Sequence, residues 1–90
     1  MSAAEKPMPQ DFLRLCLERR VKVQILEGGR ELVGVLQAYD EHCNIVLNEV
    51  NETSYMYDEK GTPLRTTRQM DLLFIRGERI VTISPVDESA

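Results

Sequence analysis

Two short polar segments hold the side chains of this chain that are best disposed to do chemistry. One is Asp40-Glu41-His42-Cys43-Asn44 and the other is Arg76-Gly77. His42 is the only histidine, and its neighbours Asp40 and Cys43 invite comparison with a thiol–imidazole–carboxylate hydrolase. Adjacent side chains diverge in an extended chain, however, so a hydrogen bond between Cys43 and His42 is awkward. One histidine and two unpaired cysteines, Cys16 and Cys43, do not make a zinc ligand pattern. Gly28-Gly29-Arg30 joins two strand-like runs and starts no helix, so it is not a phosphate-binding loop or a dinucleotide fingerprint. The expectation is a protein that is not an enzyme and needs no metal or cofactor.

The same segments suit binding. Asn44 offers donors and an acceptor in one planar amide, the kind of group that reads a base edge. His42 presents a flat ring on which an unstacked base could lie. Asp40 is placed to accept hydrogen bonds from the turn and hold Asn44. Arg76 supplies a planar cation for a base or a phosphate, and Gly77 lets the backbone approach closely. Asp and Asn also commonly cap turns, and Arg-Gly is an ordinary turn dipeptide. Residue types alone therefore leave surface-turn and nucleotide-binding readings both open.

These turns must be positioned by a small fold. The chain has 90 residues, enough for one domain with a modest core. Fifteen acidic against 11 basic residues give a net charge of −4, which argues against a basic face that coats nucleic acid. A few nucleotides in a local pocket remain compatible with it. The two cysteines form no CxxC pair, no apolar run approaches the ~20 residues of a membrane span, and MSAAEKPMPQ has no signal-peptide core. A cytosolic or nuclear protein with reduced thiols and no membrane partner is expected, and Asn51-Glu52-Thr53 is then an accidental glycosylation pattern.

In chain order, residues 1–8 are expected to be a disordered tail. Pro9-Gln10-Asp11 starts a short amphipathic helix through Leu17, with Phe12, Leu13, Leu15 and Cys16 at helical spacings. Val21, Val23 and Ile25 alternate as a strand, and Glu27-Gly28-Gly29-Arg30 is a hairpin turn. A second strand spans Glu31 to Tyr39, with Gly34 suited to a bend or close backbone approach. The third begins near Cys43. Ser54–Tyr57 could extend it as a ribbon, with a turn at Lys60-Gly61-Thr62-Pro63 and a return over Leu64–Arg68. Ser54 to Gln69 is nonetheless read as the most variable loop. A fourth strand covers about Met70 to Arg76 and a fifth about Arg79 to Ser84, with an acidic tail over 86–90. Ile80-Val81-Thr82-Ile83 is poorly blunted as a sheet edge, so pairing with a neighbouring chain is expected.

Val33-Gly34-Val35-Leu36-x-x-Tyr39-Asp40-x-x-x-Asn44-Ile45-Val46-Leu47, followed by Ile75-Arg76-Gly77-x-x-Ile80-Val81, resembles the paired motifs of the Sm-like (Lsm) family. The likeness covers residues 11–85 and departs from neither motif. The runs DFLRLCLERRVKV and RELVGVLQAYDEHCNIVL resemble eukaryotic members in particular. The resemblance implies a mainly β Sm domain over 9–85, an N-terminal α-helix on a strongly bent five-stranded antiparallel sheet, or SH3-like open barrel. It implies a ring, usually of seven different Lsm subunits in eukaryotes, joined through the fourth and fifth strands. It also implies binding of uridine-rich single-stranded RNA, with His42 stacking on a base, Asn44 reading it, Asp40 bracing Asn44, and Arg76 and Gly77 completing the pocket. Such rings act in nuclear pre-mRNA splicing and cytoplasmic mRNA decay. An SH3-like adaptor that binds protein, and an archaeal-type homo-oligomer, are the alternatives.

Overall fold

The alternation that starts at Val21 becomes a sheet that curls around its own apolar face. A computed structural model describes residues 10–86. A helix α1 (Gln10–Cys16) precedes strands β1 (Arg20–Ile25), β2 (Glu31–Tyr39), β3 (Ile45–Tyr57), β4 (Pro63–Ile75) and β5 (Ile80–Pro85). A 3₁₀ turn, Gly77–Arg79, joins the last two strands. The expected tails, 1–8 and all of 86–90 but Val86, lie outside the described residues.

The strand order is β4-β3-β2-β1-β5, and all four pairings are antiparallel. β5 therefore returns across the molecule to pair with β1, with Val23 opposite Ile83. This return makes the open barrel, while the pairing of β4 with β3, Ile75 opposite Ile45, sets the end of β4 beside the β2–β3 turn. The alternate residues Val21, Val23 and Ile25 of β1, Leu32 and Leu36 of β2, and Ile45, Leu47 and Val50 of β3 share the core with Ile75 and Ile83. Leu13 and Cys16 of α1 close over it, while Leu15 stays exposed. A helix of seven residues has little stability alone, so burial of those two side chains keeps it in place. Burial also raises the Cys16 thiol above its ordinary range, partly offset by Arg19.

Gly34 marks one of the bends of the sheet, beside register shifts at Leu36/Ala38 and Gln24/Ile25. From Val33 to Val35 the β2–β3 register slips by one, and Glu49, opposite this point, takes a left-handed φ of 52°. A Cβ on Gly34 would lie 2.9 Å from the Asn48 carbonyl oxygen and 3.2 Å from the Val50 side chain. Both expectations for Gly34, a bend and a close approach, are met by this bulge.

The loop reading of Ser54–Gln69 requires correction. β3 and β4 continue as a paired ribbon to Tyr57 opposite Pro63, so only residues 58–62 form the connection. The ribbon lies beyond the core with few buried side chains, so it lacks the apolar alternation that marks a half-buried strand. Its ladder is supported by β-branched cross-strand neighbours such as Thr53–Thr67. Asp58 closes the tip by accepting the N–H groups of Lys60 (2.8 Å) and Thr62 (2.9 Å). At the ribbon's root, the buried Glu52 carboxylate is held by Arg68, at 3.0 Å from Nη2, and by Arg30 at 3.4 Å. Smaller shifts occur at other ends: α1 stops at Cys16, and the 3₁₀ turn delays β5 to Ile80.

Leu36 is fully buried at the centre of the sheet. Leu36→Ala should lower unfolding free energy by about 2–5 kcal/mol in urea denaturation. A loss below about 1 kcal/mol would contradict the central place given to β2.

Candidate nucleotide-binding site

Asp40 organises the β2–β3 turn as an acceptor for its own loop. Its Oδ1 accepts the backbone N–H of His42 (2.8 Å) and of Asn44 (3.1 Å), and its Oδ2 accepts from the Asn44 side-chain Nδ2 at 2.9 Å. The Asp40 and Asn44 backbones also pair, N–H to C=O, at 3.1 Å. Wrapping the loop this tightly puts Cys43 at a left-handed φ of 65°. The Asn44 amide donates the hydrogen bond that contributes most to holding the Asp40 carboxyl below its ordinary range. The His42 and Asn44 backbone N–H groups and the His42 side chain act in the same direction, against a partial loss of hydration.

The second turn docks on the first. The Gly77 N–H donates to Asn44 Oδ1 at 2.7 Å, joining residues 33 positions apart. A Cβ on Gly77 would fall 2.2 Å from the His42 carbonyl oxygen and 2.9 Å from the Cys43 carbonyl. Only glycine allows this approach without moving the backbone.

The 3₁₀ turn is itself fixed from the other side. Arg79 donates to Glu27 through Nε, at 3.2 and 3.1 Å to its two oxygens, and through Nη2 at 2.8 Å. Its carbonyl accepts the Leu26 N–H at 2.9 Å. Hydrogen bonding from Arg79 holds the Glu27 carboxyl below its ordinary range. Arg79 and Glu27 did not figure among the site residues expected from sequence. No local signal joins positions 52 apart, and only the return of β5 along β1 brings them together.

The expected residues Asp40, His42, Asn44 and Gly77 therefore meet in one small region, and Arg76 adjoins it. His42 and Arg76 have largely exposed side chains. Each has a neighbouring carboxylate: Glu41 Oε2 lies 3.7 Å from His42 Nε2, and Glu78 Oε2 lies 3.3 Å from Arg76 Nε. Glu41 and Glu78 are further local groups that the reading of the turns left unassigned. Asn44 uses one N–H on Asp40 and one acceptor position on Gly77. An amide has two N–H donors and two lone pairs, so one of each remains for a ligand. A carboxylate can only accept and a peptide N–H can only donate, so the amide cannot turn over without losing both bonds. Among the described residues no group of three His, Cys, Asp or Glu side chains is arranged to hold a metal ion.

Asp40 should titrate below the ordinary carboxylate range in an NMR pH series, and Asn44→Ala should move that titration upward. Because the folded-state value is depressed, Asp40 steadies the turn above the ordinary range, and this contribution is lost as pH falls through the depressed value. An Asp40 titration unchanged by Asn44→Ala would refute the assigned cause. Gly77→Ala should shift the backbone resonances of both turns while leaving those at the ribbon tip in place.

The LSM domain model matches residues 11–85. The LSM complex subunit lsm3 of Schizosaccharomyces pombe is 40% identical over 89 residues, covering 93% of this chain and 95% of that relative. The probable U6 snRNA-associated Sm-like protein LSm3 of Dictyostelium discoideum is 35% identical, covering 86% of this chain and 84% of the relative. A heptameric archaeal Sm protein superimposes with a TM-score of 0.67 at 25% identity, over 86% of this chain and 98% of that one. A Pyrococcus abyssii Sm protein in complex with a uridine heptamer gives a TM-score of 0.66 at 28% identity, over 88% and 99%. With both motifs in place on the expected bent sheet, and relatives of the Lsm3 kind matching over most of its length, this chain belongs to the LSM domain family.

Proposed function

We propose that the chain is a non-catalytic subunit of a heteroheptameric Lsm ring that binds the uridine-rich 3′ ends of RNA. In this reading Asp40, His42, Asn44, Arg76 and Gly77 form a pocket for one uridine. The observation that carries it is the Asn44 amide, fixed at both ends with one donor and one acceptor unused. A uracil edge offers a carbonyl acceptor beside an N–H donor, which complements that pair. In the same position cytosine would set an amino group against the N–H and a lone pair against the oxygen. A buried or fixed polar group left facing its own kind is the usual source of discrimination between bases. The His42 ring and the Arg76 guanidinium supply planar faces for the base and a cation for its phosphate.

The ring rests on the two sheet edges. β4 pairs only with β3 and β5 only with β1, and their outward side chains include the exposed Leu72 and Phe74 on one and Val81 on the other. Pairing β4 of one subunit with β5 of the next satisfies both edges and covers these side chains. The heptameric assembly of the archaeal Sm protein and the name of the fission-yeast relative, an LSM complex subunit, support this assembly. Roles in splicing in the nucleus and mRNA decay in the cytoplasm follow from the same reading, the former favoured by the U6-associated relative.

In the assembled ring, Asn44→Ala and Arg76→Ala should each weaken oligouridylate binding by about 1–3 kcal/mol, read by fluorescence anisotropy. Unchanged affinity in both variants would reject the pocket. Native mass spectrometry of the purified assembly should show seven different chains. A mass that is a multiple of this chain alone would favour a homo-oligomer, and retention of a protein ligand without oligouridylate binding would favour an adaptor.

A further inference from the structure

Arg76 is the one guanidinium of the proposed pocket, and it is already engaged. Its Nε lies 3.3 Å from Glu78 Oε2, two residues along the chain. Glu78 sits within the 3₁₀ turn Gly77–Arg79, whose far end is pinned by the Arg79–Glu27 pair and the Leu26 N–H. Its position is therefore set by the fold as well as by its attraction to Arg76. The adjacent cation, Arg79, makes its hydrogen-bonded ion pair with Glu27 and feels Glu78 only as a lesser charge, whereas Arg76 pairs with Glu78 directly. The two turns together carry three carboxylates, Asp40, Glu41 and Glu78, against two guanidinium groups, Arg76 and Arg79.

Resting on the pocket proposed above, we infer that Glu78 is a built-in competitor for the RNA phosphate and sets how much of the binding depends on charge. RNA must exchange the Arg76–Glu78 pair for an Arg76–phosphate pair. The exchange involves no net gain of ion pairs, so Glu78 lowers the gain that a phosphate draws from Arg76 without removing it. Binding then depends on the base edge read by Asn44 more than on the number of phosphates. An exposed pair such as this is individually weak, but a change near its worth is readable as affinity and recurs at every encounter with RNA. Its removal also exposes the full counterion-release response of Arg76, because the cation is then free to neutralise a phosphate.

The test is a double-mutant cycle on the full-length chain in its purified assembly, with oligouridylate and oligocytidylate as probes over a salt series. Glu78→Gln keeps the side chain's size at a solvent-exposed position, and an unchanged urea midpoint should show that the fold is kept. The substitution should tighten both oligonucleotides about two- to fivefold and steepen the fall of affinity with salt. In an Arg76→Ala background the same change should have no effect. Unchanged or weaker binding by Glu78→Gln overturns the inference, and so does a gain that persists without Arg76, which would be a general charge effect. Asn44→Ala separates the two levels. If it weakens oligouridylate binding while Glu78→Gln brings no gain, the pocket stands and the competitor role fails. If both Asn44→Ala and Arg76→Ala leave binding unchanged, the pocket fails and this inference with it.

Discussion

The hydrogen bond from the Gly77 N–H to Asn44 Oδ1 joins the two turns on which the rest of the site depends. It can form only because Gly77 has no Cβ, which would otherwise overlap the His42 carbonyl at 2.2 Å. The bond also settles the orientation of the Asn44 amide, since Asp40 holds the nitrogen side and Gly77 the oxygen side. A free asparagine on a surface turn could present either end. This one is restricted to a single pattern of donor and acceptor, which is a physical basis for selectivity without a deep cavity.

The sheet exists to bring those turns together. Asn44 ends the β2–β3 turn and Gly77 follows β4, and they meet because β3 and β4 pair in a register that sets Ile45 opposite Ile75. The sheet also curls so that β5 reaches β1, with one bend at the bulge of Glu49 opposite Gly34, where neighbouring backbone and the Val50 side chain leave no room for a side chain. The Arg79–Glu27 pair then holds the 3₁₀ turn against the first hairpin. Packing of a modest core, with Leu13 and Cys16 of the helix across its open side, keeps this curvature in place.

The charge balance fits a site of this type better than a basic surface would. The chain is acidic overall, at −4, and its pocket turns carry more carboxylates than guanidinium groups. In the proposed reading such surroundings weaken phosphate attraction, and a fixed amide with planar neighbours is the more selective contact. Glu52, buried between Arg30 and Arg68, has a different use: it ties the exposed ribbon to the barrel.

The sequence by itself determined the helix, five strands, the double-glycine hairpin, the bend at Gly34 and the membership of Asp40, His42, Asn44, Arg76 and Gly77 in one pair of motifs. These are local signals: periods of two or near four, turn residues with few allowed conformations, and fixed spacings. Only the tertiary structure decided that the Ser54–Gln69 segment is mostly paired ribbon, because cross-strand hydrogen bonding can persist where neither face is buried and no alternation is written. It also decided the contacts of Asn44 with Gly77, Arg79 with Glu27 and Glu52 with its two arginines. Such pairs join residues 16 to 52 positions apart, at separations fixed by strand register and sheet closure. A local pattern says which residues can bond, whereas the closed geometry selects which of them meet.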